Sequence, residues 1–178
     1  IRDRDSIGHK HLCSTIENSN LPLSLQNLLV NLIIDNSTYI SVKSGKTNPI
    51  KFKRGVMQGD PMSPFLFNFC INHILDELTV KDVSDAFGFR LSDDADPLTV
   101  LCFADDIVVI GKSAEAASTL VTMVINLLQE IGLHINPQKS EAIVLDNGIS
   151  TQTSIKTIYG DIQSISADER VKISRRFF

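Results

Sequence analysis

The sequence has no tryptophan, only two tyrosines and three cysteines, and no apolar run long enough to cross a bilayer. The cysteines, Cys13, Cys70 and Cys102, are odd in number and show no C-x-x-C spacing, which disfavours a disulfide framework or a cysteine zinc site and predicts buried, reduced thiols. The longest apolar stretches, 61–69 and 98–104, fall short of the roughly 20 residues of a membrane helix. No membrane partner is therefore expected.

An excess of basic charge is also missing. The chain has 17 Lys and Arg residues against 21 Asp and Glu, a formal net charge of -4, which argues against a nucleic-acid binder held by overall charge. The charges are unevenly placed, because many acids lie in 82–96 and five cations gather in 43–54. This basic cluster offers a local surface for phosphates, but a solvated hairpin is the preferred interpretation of the cluster alone. Its members are Lys43, Lys46, Lys51, Lys53 and Arg54.

The length of 178 residues, with 43% hydrophobic and 21% charged residues, predicts one globular domain with a substantial core. Apolar spacings of three and four predict two helices separated by Pro22 as breaker and Ser24 as cap, and a longer one that covers 63–78. A fourth helix is predicted over 113–131, with Ser113 as its cap and Gly132 at its end. Alternating or β-branched runs predict a hairpin at 38–54, with its turn at 44–46, a second hairpin at 98–110, and strands at 87–91 and 141–145. This order favours an α+β fold, in which helices pack on one face of an antiparallel sheet.

Asp105 and Asp106 stand side by side in the predicted connection of the second hairpin, with apolar β sequence on both sides. Crowding two like charges there is costly unless a cation neutralises them. Mg²⁺ prefers carboxylate oxygens, and a pair of such ions serves phosphoryl transfer. A polar surface turn is the alternative, and Asp93-Asp94, in a loop of Ser, Asp and Pro, is expected to be such a solvated pair. These residues alone support both interpretations equally.

A longer motif adds to this pattern. Residues 54–68 read R-G-V-M-Q-G-D-P-M-S-P-F-L-F-N, which resembles the reverse transcriptase motif R-G-V-x-Q-G-D-P-x-S-P-x-L-F-N. Residues 103–106, F-A-D-D, are similar to the F/Y-x-D-D turn of the same enzymes, and residues 132–140 to their G-L-x-x-N-x-x-K-S/T motif. The order and spacing of all three agree. The chain therefore resembles the reverse transcriptase domain of a non-long-terminal-repeat retrotransposon, with group II intron enzymes as a more distant alternative.

The resemblance implies an RNA-directed DNA polymerase that adds deoxynucleotides to a primer 3′-hydroxyl. The expected partners are an RNA template with its DNA primer, deoxynucleoside triphosphates, and the remaining fingers and thumb of a parent polyprotein. Two Mg²⁺ ions are the expected cofactors, with Mn²⁺ as a substitute. The implied fold is the palm with part of the fingers, truncated: a palm core over about 1–146, a degenerate primer-grip edge over 147–178, and no N-terminal fingers or thumb. An intracellular, nuclear location is expected from the resemblance only.

The resemblance also assigns roles to residues. Asp105 and Asp106 are expected to bind the metal ions, and Lys139 to protonate the leaving pyrophosphate. Gln58 is expected beside the incoming nucleotide and the template base, since its amide both donates and accepts hydrogen bonds. The glycines of the loop allow close backbone approach to a ligand. The expected nucleotide and template site consists of Arg54, Gly55, Gln58, Gly59, Pro61 and Phe103.

Both ends of the chain depart from the family pattern. The pattern D-x-x-K-A-F-D-S-I/V-x-H matches only from Asp5, so the aspartate that shares both metals with Asp105 falls before Ile1. Near the other end, Ile173 and Ser174 follow where similar sequences read Y-L-G. This chain alone is therefore expected to be inactive. The alternative function is a catalytically dead remnant that keeps the fold and at most weak nucleic-acid binding; another two-metal phosphotransferase is disfavoured by the complete motif around Gln58.

Overall fold

The computed structural model describes residues 7–34, 36–55, 61–103 and 106–166, which fall into two compact units. The N-terminal unit contains the described residues up to Ile71 together with Ile131–Leu133. The C-terminal unit contains Asn72–Glu130 and the described residues from His134 onward. The candidate site residues identified in the sequence are divided between the two units.

Two helices, α1 (His9–Glu17) and α2 (Leu23–Ile33), pack against each other in the N-terminal unit. Pro22 immediately precedes α2, as the sequence predicted, and its fixed φ of -55° suits this position. The prediction of Ser24 as the cap is wrong, because Ser24 is the second residue of the helix. The side chains that α1 and α2 bury recur at the helical spacing of four: Leu12 and Ile16 in α1, and Leu29 and Ile33 in α2.

A two-stranded ribbon follows α2. Its inner part pairs β1 (Ser37–Thr38) with β4 (Ile50–Lys51), and its tip pairs β2 (Ser41–Val42) with β3 (Gly45–Lys46), both antiparallel. The predicted hairpin is confirmed, but its turn lies at Lys43 and Ser44, and the predicted turn residues Gly45 and Lys46 form a strand. Pro49 has no amide hydrogen and lies in the gap between β3 and β4, which explains why the ladder is not continuous.

The remaining elements are mainly those of the C-terminal unit. Helix α3 (Ser63–Thr79) begins in the N-terminal unit and continues into the C-terminal unit from Asn72 onward. The others are α4 (Lys81–Phe87), β5 (Val100–Phe103), β6 (Asp106–Val109), α5 (Ala114–Glu130), a 3-10 turn (Pro137–Lys139), β7 (Glu141–Ala142), β8 (Val144–Asp146), β9 (Ile149–Thr151) and β10 (Gln163–Ser164).

Helix α5 provides much of the core of the C-terminal unit, in agreement with its predicted apolar stripe. The backbone N–H of Ala116 donates to Oγ of Ser113 at 3.2 Å, which confirms the predicted cap. Gly132 has a φ of +82° just after the helix, so the predicted glycine stop is also confirmed. The side chains that α5 buries are Ala116, Leu120, Val124, Ile125 and Leu128.

The mixed α+β composition is confirmed, whereas a single sheet is absent from the described residues. The ten strands form five separate pairs, of which β7–β10 is parallel and the other four are antiparallel. The strand predicted at 87–91 is wrong: helix α4 extends to Phe87, the N–H of Gly88 continues its hydrogen bonding to Ser84, and Phe89 forms only an isolated bridge with Leu98. The strand predicted at 141–145 is interrupted at Ile143, between β7 and β8.

The cysteines and helices agree with most of the expectations from composition. All three cysteines are thiols; Cys70 is buried as predicted, whereas Cys13 and Cys102 are half-buried. No helix in the described ranges combines the length and apolar character needed to traverse a lipid bilayer.

Candidate functional site

The acidic pair of the sequence lies at the hairpin formed by β5 and β6. The register places Val100 opposite Val109, Cys102 opposite Ile107, and Phe103 opposite Asp106. Strand β5 ends at Phe103 and β6 begins at Asp106, so only two residues of the sequence separate them. The predicted hairpin is confirmed, with one correction: Asp106 is the first residue of β6, not part of the turn, because it already pairs with Phe103.

The two faces of this hairpin differ in burial. Residues directly opposite in an antiparallel pair share a face, and faces alternate along a strand. Val100 is 7% exposed and lies on the inner face, whereas Leu101 is 52% and Phe103 65% exposed on the outer face. Asp106, as the partner of Phe103, belongs to that outer face and is half-buried. Asp106 is thus opposite Phe103, whose phenyl ring is exposed, at the end of the described part of the hairpin. The neighbouring Asp105 lies outside the described residues.

Asp93 and Asp94 serve as an internal comparison. Both are exposed, in the loop between Phe89 and Leu98, as expected for a solvated pair. Asp106 differs from them because it stands in a paired strand, opposite Phe103 and next to Ile107. Its backbone is therefore held by a β-ladder, whereas Asp93 and Asp94 belong to a loop.

The start of the glutamine motif is held by α1 and the residues just before it. Arg54 forms an isolated bridge with Gly8, and the N–H of Gly55 donates to the carbonyl of Ile7 at 2.8 Å. The carbonyl oxygen of Gly55 accepts a hydrogen bond from Nε2 of His9 at 3.0 Å. Gly55 is buried and has a φ of +78°, a conformation that favours glycine. The conformational freedom predicted for this glycine is therefore required at Gly55. The loop begins at a backbone position that two hydrogen bonds hold in place.

The other end of the motif leads into α3. Pro61 is exposed, and Ser63 is the first residue of the helix. The backbone carbonyl of Met62 accepts a hydrogen bond from the Leu66 N–H at 3.0 Å. Gly55 and Met62 line one cleft of the N-terminal unit, so the structure brings together the two ends of the loop. Gln58 and Gly59, between these ends, lie outside the described residues. Further cleft residues are His9, Leu29, Phe52, Ser63 and Leu66.

Lys139 is the last residue of the 3-10 turn Pro137–Lys139 and is exposed. Its N–H donates to the carbonyl of Asn136 at 3.0 Å, and the Ser140 hydroxyl donates to the same carbonyl at 3.0 Å. The segment is therefore a fixed turn that presents the ammonium group to solvent. Lys139 belongs to the same unit as Phe103 and Asp106, whereas Arg54, Gly55 and Pro61 belong to the other.

His9 is the residue of this region that the sequence pattern did not single out. Its contact with Gly55 joins residues 46 positions apart, which helical periodicity does not reveal. A signal was present in D-S-I-G-H at 5–9, where His9 ends a stretch that follows the family pattern. His9 is thus a positioning residue, because its hydrogen bond holds Gly55 at the start of the loop.

The donor chemistry at the β5–β6 hairpin suits a hard cation. Asp106 offers carboxylate oxygens, the ligands that Mg²⁺ prefers, and it is sufficiently exposed to leave room for water or phosphate ligands. Among the described residues, which omit Asp105, no group of three or more His, Cys, Asp or Glu side chains is placed to hold a metal. Asp106 therefore has the chemistry of one ligand for such an ion.

Comparison with known proteins identifies similar sequences. A family model described as reverse transcriptase (RNA-dependent DNA polymerase) matches residues 5–169. The Retrovirus-related Pol polyprotein from type-1 retrotransposable element R2 of Nasonia vitripennis is 30% identical over 141 residues, which are 79% of this chain and 13% of that protein. The corresponding polyprotein of Popillia japonica is 30% identical over 140 residues, 78% of this chain and 19% of that protein.

A third relative is the Retrovirus-related Pol polyprotein from type-2 retrotransposable element R2DM of Drosophila melanogaster. It is 25% identical over 160 residues, which are 90% of this chain and 14% of that protein. The chain thus spans less than a fifth of the length of each of these three relatives. The similar region includes most of this chain in every case.

Proposed function

The chain belongs to the reverse transcriptase family, as its motifs indicated, and we propose that it forms the palm, with part of the fingers, of an RNA-directed DNA polymerase of a non-long-terminal-repeat retrotransposon. One observation carries this proposal. The family match over residues 5–169 includes both the loop that begins at the anchored Gly55 and the hairpin in which Asp106 pairs with Phe103. The two motifs that polymerase chemistry needs are thus each attached to a fixed element.

The proposed substrates are an RNA template with a DNA primer, and deoxynucleoside triphosphates. In the reaction, the primer 3′-oxygen attacks the α-phosphorus of the nucleotide, and the bond to pyrophosphate breaks. Asp105 and Asp106 would hold two Mg²⁺ ions, which would make the hydroxyl more acidic and neutralise charge on the phosphates. The proposed nucleotide and template site consists of Arg54, Gly55, Gln58, Gly59, Pro61 and Phe103.

Lys139 is proposed as the general acid of this reaction. Its ammonium group is carried on a fixed turn in the same unit as Asp106. As the bond to the α-phosphorus breaks, the leaving pyrophosphate gains negative charge, and a proton from Lys139 would compensate for it. The ammonium group is a stronger acid than water, so its proton transfer lowers the barrier.

The remaining parts of a Pol polyprotein are the proposed partners of this chain, because the relatives are several times longer. We further propose a nuclear site of action, on the basis of the similarity to retrotransposon polyproteins alone. We propose that the 178 residues alone do not complete the metal site, because the first aspartate of the pattern D-x-x-K-A-F-D has no counterpart among them.

Primer extension tests these proposals. The chain as given is compared with a version that carries a preceding D-x-x-K-A-F strand from an R2 polyprotein, on a poly(rA) template with an oligo(dT) primer, dTTP and Mg²⁺. We expect synthesis only from the longer version. In that version, Asp106→Asn should lower synthesis at least about 100-fold, whereas the double variant Asp93→Asn, Asp94→Asn should retain it.

The outcome also decides between the enzyme and the remnant. If both versions fold, by circular dichroism, and neither extends the primer, the catalytically dead remnant is the better description. If the Asp93, Asp94 variant loses as much activity as Asp106→Asn, the assignment of the metal site is wrong. Lys139→Gln should lower kcat and leave the KM for dTTP nearly unchanged, because the proton is transferred only in the transition state.

A further inference from the structure

The ribbon between α2 and the glutamine motif carries charge of one sign. Residues 36–55 contain five lysine and arginine residues and no aspartate or glutamate. By contrast, residues 72–130 contain eleven acidic and three basic residues. The negative net charge of the chain therefore conceals a strongly basic segment. We name this segment, residues 36–55, the basic ribbon.

The cations of the basic ribbon are displayed, not buried. Residues 39–51 are exposed without exception, and so are Lys53 and Arg54. Phe52 is half-buried and lines the cleft beside Gly55, whereas Lys51 and Lys53 on either side of it are exposed. Lys43 lies in the turn at the tip. Positive charge therefore extends along the ribbon from its tip to the start of the glutamine motif.

An aromatic ring accompanies these cations. Tyr39 is 51% exposed, and the ammonium Nζ of Lys46 lies 4.0 Å from the centre of its ring. Ile40 and Val42 are about as exposed as Tyr39. Lysines beside an exposed aromatic ring are typical of surfaces that bind single-stranded nucleic acid, where cations contact phosphates and bases stack on rings.

We propose that the basic ribbon binds the backbone of a single-stranded polynucleotide, with Tyr39 as a stacking surface for a base. The inference rests on the proposed function for the identity of that strand, the RNA template before it is copied. Binding itself requires neither Mg²⁺ nor the acidic pair, since the ribbon contains no metal ligand of its own. A merely solvated hairpin, the preferred interpretation of the cluster from sequence alone, is the alternative to this proposal.

Fluorescence anisotropy with labelled U20 RNA, in EDTA and without nucleotides, tests this proposal on the full chain. The triple variant Lys43→Gln, Lys46→Gln, Lys53→Gln should bind at least about tenfold more weakly at 100 mM salt, and the slope of log K against log salt should fall by about 2, at about 0.7 per phosphate. A matched triple variant with the same loss of charge, at the exposed Lys81, Lys112 and Lys156, should bind within about twofold of the wild type.

The stacking role has its own matched pair, because the chain has only two tyrosines. Tyr39→Ala should weaken binding at least about fivefold, and Tyr39→Phe should retain it. Tyr159→Ala, at a 43% exposed position in the C-terminal unit, should leave binding unchanged. Labelled dT20 should bind with similar affinity to U20, since phosphates and base faces are common to both.

Several results would overturn the proposal: no salt-dependent binding by the wild type, equal weakening in the two lysine triples, or equally effective competition by poly-glutamate, which would indicate an acidic protein partner. Self-association that depends on the ribbon, without binding of U20, would do the same. A variant with both Asp105→Asn and Asp106→Asn should bind U20 as the wild type does. A failure of primer extension is therefore distinguishable from a failure of the ribbon to bind.

Discussion

The imidazole of His9 and the carbonyl of Gly55 form a hydrogen bond of 3.0 Å that joins α1 to the start of the glutamine motif. A carbonyl oxygen only accepts, so Nε2 of His9 carries the proton. The N–H of the same glycine donates to Ile7 at 2.8 Å. Both polar groups of the Gly55 backbone are thus held by residues just before or within the first turn of α1, and the loop that contains Gln58 begins from a fixed point.

Replacing His9 with Ala should lower the free energy of unfolding by about 1–2 kcal/mol, because the part-buried Gly55 carbonyl loses its donor. Amide hydrogen exchange near residue 55 should become faster. Urea denaturation and exchange mass spectrometry measure these effects. His73→Ala, at an exposed position of α3, should change stability by no more than about 0.5 kcal/mol. Equal effects of the two substitutions would contradict the positioning role of His9.

A second prediction concerns the backbone of Gly55. Gly55→Ala should destabilise the chain by about 1–2 kcal/mol, because an L residue at a φ of +78° is strained. Gly8→Ala is the matched control, since Gly8 has a φ of -65° and open space where a Cβ would be added. That substitution should change stability by less than about 1 kcal/mol, because the lower entropy of the unfolded chain is offset by a weaker N-cap of α1. Thermal unfolding measures the stability of both variants. A larger loss of stability in Gly8→Ala than in Gly55→Ala would contradict the role of the positive φ at Gly55.

Local rules predicted the helices well because each rule acts within a few residues. The apolar stripe of α5, its cap at Ser113 and its stop at Gly132 all depend on neighbours less than five positions apart. The same holds for the β5–β6 hairpin, whose connection is too short to permit another pairing. In this hairpin Asp106 was predicted in the turn but is the first residue of β6, because strand pairing reaches closer to the turn than the sequence indicated.

Long-range relations could not be predicted from these rules. The contact of His9 with Gly55 and the parallel pairing of β7 with β10 join distant segments, and no periodicity encodes them. The strand predicted at 87–91 failed because Gly88 extends the hydrogen bonding of α4. For the candidate site, motif order identified Asp106 and Lys139, and their expected proximity to Gln58 stays a prediction.

A third prediction concerns the link between α3 and the strand region. The Thr99 hydroxyl donates to the carbonyl of Leu78 at 2.8 Å, and Thr99 is only 1% exposed. This bond satisfies a carbonyl in the last turn of α3, which has no partner within the helix. Thr99→Val should therefore cost about 1–3 kcal/mol in a chemical denaturation experiment.

The control for Thr99 is Thr119→Val. The Thr119 hydroxyl also donates to a backbone carbonyl, that of Glu115 at 3.0 Å, but in an exposed position on α5 where water can replace it. Its loss should change stability by no more than about 0.5 kcal/mol. A comparable loss in both variants would show that burial of the Thr99 bond is not the cause.

The last prediction follows from the burial of Cys70. Burial raises the pKa of the Cys70 thiol from 9.0 to about 12; a hydrogen bond with Thr15 lowers it in part, and the nearby Cys13 raises it further. Below pH 9 the thiol is protonated in both the folded and the unfolded chain, so its contribution to stability is fully present. Between pH 9 and 12 only the unfolded chain ionises, and stability falls by up to about 1.4 kcal/mol per pH unit.

Urea denaturation of the wild type and of Cys70→Ala at pH 8, 9, 10 and 11 measures this contribution. Lysines and tyrosines titrate in both proteins, so the difference between the two curves isolates Cys70. At pH 8 the variant should be the less stable, because it leaves a small cavity where the sulfur was. Above pH 9 the wild type should lose stability faster, and the difference should shrink as the pH rises. Parallel curves up to pH 11 would mean that the thiol ionises equally well in the folded chain, so that its buried environment does not exclude the charge.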